Sequence, residues 1–325
     1  MKAVEILKEG GVVILPTNTV YGFFTRFNNP EGIKKIAKLK NRSLDNPLQV
    51  FAKDSSQLKE LKLGEEEIHL AEKLLKEPFT LILKTELNQD FVVKEGKIGI
   101  RMSRNELLSK ILEKTGPLAA TSVNTSGENP LTEEKDIRKS FRDVHFVKGD
   151  IQGYEEPTSV IEPVESGYKL LRKGSGSLNE LKIEAAIGSD HAGFELKENV
   201  ISILKHRGMI FIDCGTFSQE SSDYPQYARK TSKVILESNI PRGILICGTG
   251  IGMSISANRF KGIRAALCHN EEYAELARKH NNANILVLGG RFTPDAEVNP
   301  ILDKFLNTDF EDGRHKRRLD QIEKD

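Results

Sequence analysis

From Ala185 onward the chain alternates short apolar runs with amphipathic stretches, and the runs are apolar on both faces. Candidate strands Ala185–Gly188, Ile210–Asp213, Ile244–Cys247, Arg264–Cys268 and Ile285–Gly289 all read this way. A strand with no polar face has to be covered on both sides, which strands joined by helical crossovers achieve in a parallel sheet. The fold expected is therefore α/β, a doubly wound parallel sheet of the Rossmann-like kind. Its ligands should lie at the carboxyl ends of the strands.

The first half is a mixed α/β pattern. Strands are expected at Val12–Leu15, Leu48–Ala52, Phe79–Lys84, Ile98–Met102 and Leu118–Ser122. Helical periodicity is carried by Ile33, Ile36 and Leu39 after Pro30, and by Leu107, Leu108, Ile111 and Leu112 after Arg104. With 325 residues the chain has room for two domains. Gly174-Ser175-Gly176-Ser177 has the backbone freedom of a join, so residues 1–178 and 179–325 are read as separate domains. Positive and negative residues balance in each half, so nucleic-acid contact would need a local patch. Cys214, Cys247 and Cys268 are an odd number without C-x-x-C pairing, which argues against a disulfide framework or structural zinc and fits a reducing cytoplasm. The start is not that of a signal peptide, and no run approaches the roughly 20 apolar residues a membrane helix needs.

Chemistry-bearing residues gather at strand ends. The first strand of the second half runs into Ser189-Asp190-His191-Ala192-Gly193. The third ends in Cys247-Gly248-Thr249-Gly250-Ile251-Gly252 and enters a helix expected over Met253–Phe260. Glycines in such a turn let backbone amides converge on an anion, and a helix start favours an anionic sulfur able to act as a base. His280-Asn281 ends a helix beginning near Glu271. A basic helix, Gly313–Lys324, closes the chain with Arg314 and Arg318 one turn apart, spaced to clamp a phosphate. Each feature alone has a plainer meaning: a helix cap, a tight strand-to-helix turn, a small buried thiol, a solvated basic tail.

Together they resemble ribose-5-phosphate isomerase B over nearly all of Glu184–Asp325, through S-D-H-A-G-F-x-L-K, D-Y-P, G-I-L-I-C-G-T-G-I-G, the H-N pair and G-R-H-x-x-R. The resemblance implies a metal-independent aldose-ketose isomerase in which Cys247 moves a proton between C2 and C1. Thr249 with the amides of Gly248, Gly250 and Gly252 would hold the enediolate. Asp190 and His280 would open the sugar ring, Asn281 would hold the open chain, and Tyr224 would line the pocket. His191, Arg291, Arg314 and Arg318 match phosphate-contacting positions. The family implies a homodimer or higher assembly whose sites draw on both subunits. Related isomerases act on 6-phosphohexoses, and an isomerase of that class is the alternative reading for this half.

In the first half, Pro16-Thr17-Asn18-Thr19-Val20-Tyr21-Gly22, Lys40-Asn41-Arg42 and Ser122-Val123-Asn124-Thr125-Ser126-Gly127 amount to a polar pocket with cations suited to an anion. These motifs, with K-N-R-x-x-x-N-P-L, I-G-I-R, T-S-V-I-E and L-L-R-K-G, resemble the YrdC family over about Met1–Gly174. The resemblance implies joining of threonine, bicarbonate and ATP into threonylcarbamoyl-adenylate, with Mg²⁺ on the phosphates, and transfer to tRNA by partner proteins. Thr17, Tyr21, Lys40, Arg42, Arg101, Ser122, Asn124, Thr158 and Arg172 match positions contacting ATP or threonine. The sequence departs from the family at Asn18, commonly aspartate, at Phe51, commonly histidine, and at Lys76-Glu77-Pro78. The rival reading makes this half a non-catalytic RNA-binding module. The expectation is a bifunctional cytoplasmic enzyme.

Overall fold

The computed structural model describes residues 2–151 and 156–322. The chain divides into two compact units, Met1–Pro163 with Arg172–Ser177, and Val164–Leu171 with Leu178–Asp325.

In the first unit the strands are β1 (Val13–Leu15), β2 (Gly22–Arg26), β3 (Gln49–Ala52), β4 (Phe79–Lys84), β5 (Val93–Lys94), β6 (Lys97–Met102), β7 (Leu118–Ser122), β8 (His145–Phe146) and β9 (Ser159–Val164, all but its last residue). They form a mixed sheet in the order β9-β4-β6-β3-β7-β2-β1-β8, with β5 beside β6. Pairs β1/β8, β3/β6 and β4/β9 are parallel, and the others are antiparallel. Helices Lys2–Lys8 and Glu106–Thr115 pack together on this sheet. Their Val4, Leu7, Leu108, Ile111 and Leu112 bury against Val13, Leu15, Phe24, Phe51 and Leu118. The Asn105 side chain starts the second of these helices by accepting the Leu108 amide at 3.1 Å, which satisfies a donor that has no partner inside the helix.

The second unit holds β10 (Gly167–Arg172, all but its last residue), β11 (Ala185–Ser189), β12 (Phe211–Asp213), β13 (Arg242–Cys247), β14 (Ala265–Leu267) and β15 (Ile285–Gly289). The order is β14-β15-β13-β11-β12-β10, and every pair is parallel, as the two-faced apolar runs require. Helices Phe194–His206, Glu271–Asn281 and Asp295–Asn307 share one core with the sheet through Leu196, Val200, Ala274, Ala277, Ile301 and Phe305. Helices Tyr224–Glu237 and Ile251–Ala257 pack on each other and on β13, the first also on β11.

Several expectations are modified. The run Gly174–Ser177 is not a free join. Ser175 donates its amide to Pro157 (2.9 Å) and accepts that of Ser159 (2.9 Å), so the segment is bound into the first unit. Before it, Val164–Leu171 has already entered the second unit, because Gly167–Lys169 pair with Phe211–Asp213 and the Leu170 carbonyl accepts Lys230 Nζ. The helix expected over Met253–Phe260 spans Ile251–Ala257, and the Asn258 side chain closes it by donating to the Ser254 carbonyl at 2.9 Å. The final helix is seen as Arg314–Ile322, and its expected end at Lys324 lies outside the described residues. Among the described residues no helix is long and apolar enough to cross a membrane.

Candidate active sites

In the second unit the chain goes from β11 to β12 on one side and returns to β13 on the other, so the sheet switches direction between β11 and β13. A crevice opens at the carboxyl edge of such a point. Asp190 follows β11 on one side of it and Cys247 ends β13 on the other, and the Asp190 amide donates to the Ile246 carbonyl at 3.2 Å. The Cys247 sulfur, in a residue only 4% exposed, accepts the Gly250 amide at 3.2 Å. Gly250 has φ +78°, and a β-carbon there would stand 3.0 Å from the Leu288 carbonyl oxygen, so the turn that aims this amide at sulfur requires glycine. Thr249 Oγ1 accepts the Ile251 amide at 3.3 Å.

Other expected residues surround the same turn. A β-carbon on Gly248 would lie 3.5 Å from the Arg291 guanidinium, and one on Gly252 would meet the Tyr224 ring at 2.7 Å. Gly252 therefore admits the phenol ring to contact with the turn, while the guanidinium lies beside Gly248 at a distance a side chain there would also tolerate. His191 Nδ1 is 3.1 Å from both the carbonyl oxygen and the amide nitrogen of Ser222, which fixes the ring. The Asp190 carboxylate accepts the Gly193 amide at 3.1 Å. Burial raises its pKa above the usual carboxylate value, while the Gly193 amide and the neighbouring His191 and Arg291 charges oppose the rise.

His280, Asn281, Arg314 and Arg318 are not in this group. Helix Glu271–Asn281 feeds the beginning of β15, and the residue after it, Asn282, gives its carbonyl to Arg264 Nε at 2.9 Å, just before β14. Asn284 accepts the Gly243 amide at 2.8 Å, at the start of β13. These residues mark the amino edge of the sheet, about 15 Å of strand from Cys247. At that edge His280 stacks on His315 with centroids 4.2 Å apart and an interplanar angle of 1°. His280 Nε2 lies 3.8 Å from Glu311, and Arg314 Nε donates to His315 Nε2 at 3.2 Å. Ligand atoms of His280, Glu311 and His315 come within 4.8 Å of one another. The parallel rings, however, keep their in-plane lone pairs from converging on one ion. Burial lowers the pKa of His315, helped by the charges of His280, Arg314 and Arg318. His315 stands inside the G-R-H-x-x-R motif, so the sequence displayed it; Glu311 had no such signal.

The first unit holds a cavity of about 210 Å³ lined by Thr17, Tyr21, Arg42, Arg101, Ser122, Thr158 and Arg172, all expected, and also by Thr19, Gln49, Phe51 and Thr80. Among the described residues three guanidinium groups line it and no carboxylate does. Arg101 is 4% exposed, donates to Asn18 Oδ1 (2.7 Å) and Thr19 Oγ1 (3.3 Å), and lies over the Phe51 ring at 4.5 Å. Two of the three departures from the family pattern, Asn18 and Phe51, thus touch Arg101 with neutral groups. Burial and then the Arg172 charge pull its pKa down to about 9, so it remains a cation at neutral pH, and no described residue of the lining offers it an anion. Tyr21 Oη donates to the Gly149 carbonyl at 2.8 Å, and Thr158 shares a hydrogen bond with Thr80 at 2.8 Å, which in turn donates to Gln49.

Lys40 and Asn124 do not line this cavity. Lys40 is 2% exposed and spends its three donors on the Ser122 carbonyl (2.6 Å), the Asn124 carbonyl (2.8 Å) and Asn124 Oδ1 (2.6 Å). Burial, then the Arg42 charge, lowers its pKa to about 8. Lys40 therefore holds the Ser122–Asn124 turn rather than facing the cavity. The strand-borne Gln49 and Thr80 carry no motif that sequence reading could have used.

Residues 185–322 match the family model described as ribose/galactose isomerase, and residues 5–174 match the Sua5, YciO and YrdC model described as telomere recombination. A putative sugar phosphate isomerase of Rickettsia conorii is 52% identical over 42% of this chain and 94% of its own length. Ribose-5-phosphate isomerase B of Escherichia coli is 43% identical over 42% of this chain and 92% of its own. Among solved structures, a ribose 5-phosphate isomerase of Thermotoga maritima is 53% identical, covers 44% of this chain and 99% of its own, and gives a TM-score of 0.43. The chain belongs to the ribose/galactose isomerase family in its second half and to the Sua5/YrdC family in its first.

Proposed function

We propose that the second unit interconverts ribose 5-phosphate and ribulose 5-phosphate. The observation that carries this reading is the placement of Cys247 and Asp190 on either side of the strand switch, with Arg291 against the glycine turn. With the aldose open, the Cys247 thiolate takes the C2 hydrogen as a proton, and the electron pair becomes the C1–C2 double bond. Charge builds on O1, where Thr249 and the Gly248 and Gly252 amides would stabilise it, the expected Gly250 amide being engaged instead by the Cys247 sulfur. A proton then passes from O2 to O1, and Cys247 returns its proton to C1. Asp190 and His280 open the ring, Asn281 holds the linear chain, Tyr224 walls the pocket, and His191, Arg291, Arg314 and Arg318 bind phosphate.

Because His280, Asn281, Arg314 and Arg318 stand at the opposite sheet edge from Cys247, they serve the Cys247 of a second copy, and the unit of activity is a homodimer or larger. The exposed Ile251 and Ile255, one turn apart on the helix following Cys247, favour this association. Turnover of ribose 5-phosphate by the purified protein, insensitive to chelator and compared with a 6-phosphohexose, tests the assignment. Preference for the hexose would overturn the pentose reading.

For the first unit we propose synthesis of threonylcarbamoyl-adenylate from threonine, bicarbonate and ATP with release of pyrophosphate, the product passing to tRNA-modifying partners. Arg42, Arg101 and Arg172, facing a cavity to which no described residue contributes a carboxylate, support a polyanionic nucleotide. The donors present suit phosphate rather than a resident metal, so Mg²⁺ would arrive on the nucleotide. Pyrophosphate release that needs both threonine and bicarbonate tests this; strongly salt-dependent RNA binding without turnover would favour the RNA-binding module. Both reactions place the protein in the cytoplasm.

A further inference from the structure

Lys197 closes the motif that begins at Ser189, and the chemistry above gives it no task. Its side chain is fully buried, Asp213 at the end of β12 is 1% exposed, and Nζ stands 2.5 Å from Asp213 Oδ2. The ammonium is also 3.1 Å from Glu198 Oε1 and 5.4 Å from the ring centroids of Phe194 and Phe217. A buried ion pair is seldom more stabilising than apolar side chains of the same volume, so its presence points to what it orients.

Two chains of contact lead from this pair to the Asp190 turn. Lys197 lies in the first turn of the helix Phe194–His206, which Ser189-Asp190-His191-Ala192-Gly193 opens. Asp213 uses its other oxygen, Oδ1, to accept the Gly215 amide at 2.8 Å. The Gly215 carbonyl accepts the Ser189 amide at 2.6 Å, and the Ser189 carbonyl accepts the Thr216 amide at 2.7 Å. The next residue is Asp190, whose amide is bonded to Ile246, the neighbour of Cys247. The pair therefore joins the helix after the turn to the loop that pins the residue before it.

We infer that Lys197 is a positioning residue of the isomerase centre, locking the Ser189–Gly193 turn through its buried ion pair with Asp213 and so fixing the Asp190 carboxyl and the His191 imidazole relative to Cys247. The inference rests on the isomerase reading. An apolar pair would fill the same space but could not accept the Gly215 amide, so the loop that pins Ser189 loses its hold even in a folded protein.

The test uses the full chain carrying Lys197→Met, and a second variant combining Lys197→Met with Asp213→Leu, which leaves no unpaired buried charge if the single change prevents folding. Thermal melting, kcat and KM for ribose 5-phosphate across pH, and the His191 imidazole resonance without substrate are compared with the unsubstituted protein. The inference expects the double variant to fold cooperatively but to melt below the unsubstituted protein, because the Gly215 amide loses its acceptor. Its kcat should fall at least about tenfold, as small misplacements of catalytic groups do, with a displaced pH profile and a moved His191 resonance. A double variant whose kcat, pH profile and His191 resonance are all unchanged overturns it. If the unsubstituted protein itself does not turn over ribose 5-phosphate, the isomerase reading fails, and the His191 resonance decides the positioning role alone: moved supports it, unmoved refutes it.

Discussion

A thiol as buried as Cys247 usually serves as packing, and the other two cysteines show what that looks like. Burial pushes the Cys214 thiol up to about 11 and the Cys268 thiol up to about 12, leaving both neutral at physiological pH. Cys247 differs in having a backbone amide aimed at its sulfur and a guanidinium beside the next residue. Cys247→Ser should therefore reduce kcat by about 10² to 10⁴, the usual worth of a general base, with KM little changed. Cys214→Ala and Cys268→Ala should leave kcat intact. Asp190 adds a pH signature. Burial raises its folded value, so its contribution to stability is present at low pH and fades as pH rises from the unfolded value through the raised one. Activity that needs the carboxylate falls as pH drops through the same raised value. Asp190→Asn should flatten the acidic limb of kcat/KM and make the second unit more resistant to urea at neutral pH.

Among the elements, the Ser122–Asn124 turn depends on the ammonium beneath it. Lys40→Met leaves buried acceptors without a donor and should cost about 1–3 kcal/mol in a denaturant melt of the first unit. The folded protein binds fewer protons at Lys40 than the unfolded chain between about 8 and 10.5, so this lysine's penalty is full below that window and is relieved as pH rises through it. Stability should climb across the window relative to Lys40→Met, and parallel curves for the two proteins would contradict the burial. In sequence Lys40 looked like a ligand cation, since nothing local distinguishes a lysine facing phosphate from one facing carbonyls. Strands with two apolar faces were legible because their cover is implied by composition. β9 and β10 were not, since they are partly exposed and β10 finds its partner, Phe211–Asp213, some forty residues onward. Cys247 and Asp190 were legible because strand ends and a glycine turn mark them, whereas Arg291 entered only through the family resemblance. The opposite position of His280 follows from the same elements, because the last turn of a crossover helix leads into the amino end of the next strand, Ile285–Gly289.

At the scale of the whole molecule, the two proposed chemistries draw on separate residues, one set in each unit. Arg101→Ala should abolish threonine- and bicarbonate-dependent pyrophosphate release while ribose 5-phosphate turnover continues, and Cys247→Ser should do the reverse; loss of both activities from either change would contradict that separation. Ile255→Glu puts a charge on the exposed face beside the glycine turn and should yield monomers without isomerase activity, as read by sedimentation and turnover together. The most direct measurement mixes Cys247→Ser protein with His280→Asn protein, each inactive alone, under conditions that exchange subunits. A site built from Cys247 of one copy and His280 of another predicts recovery of about a quarter of the unsubstituted activity, since half the dimers would then be mixed and each would hold one intact site. No recovery after demonstrated exchange would contradict the shared site.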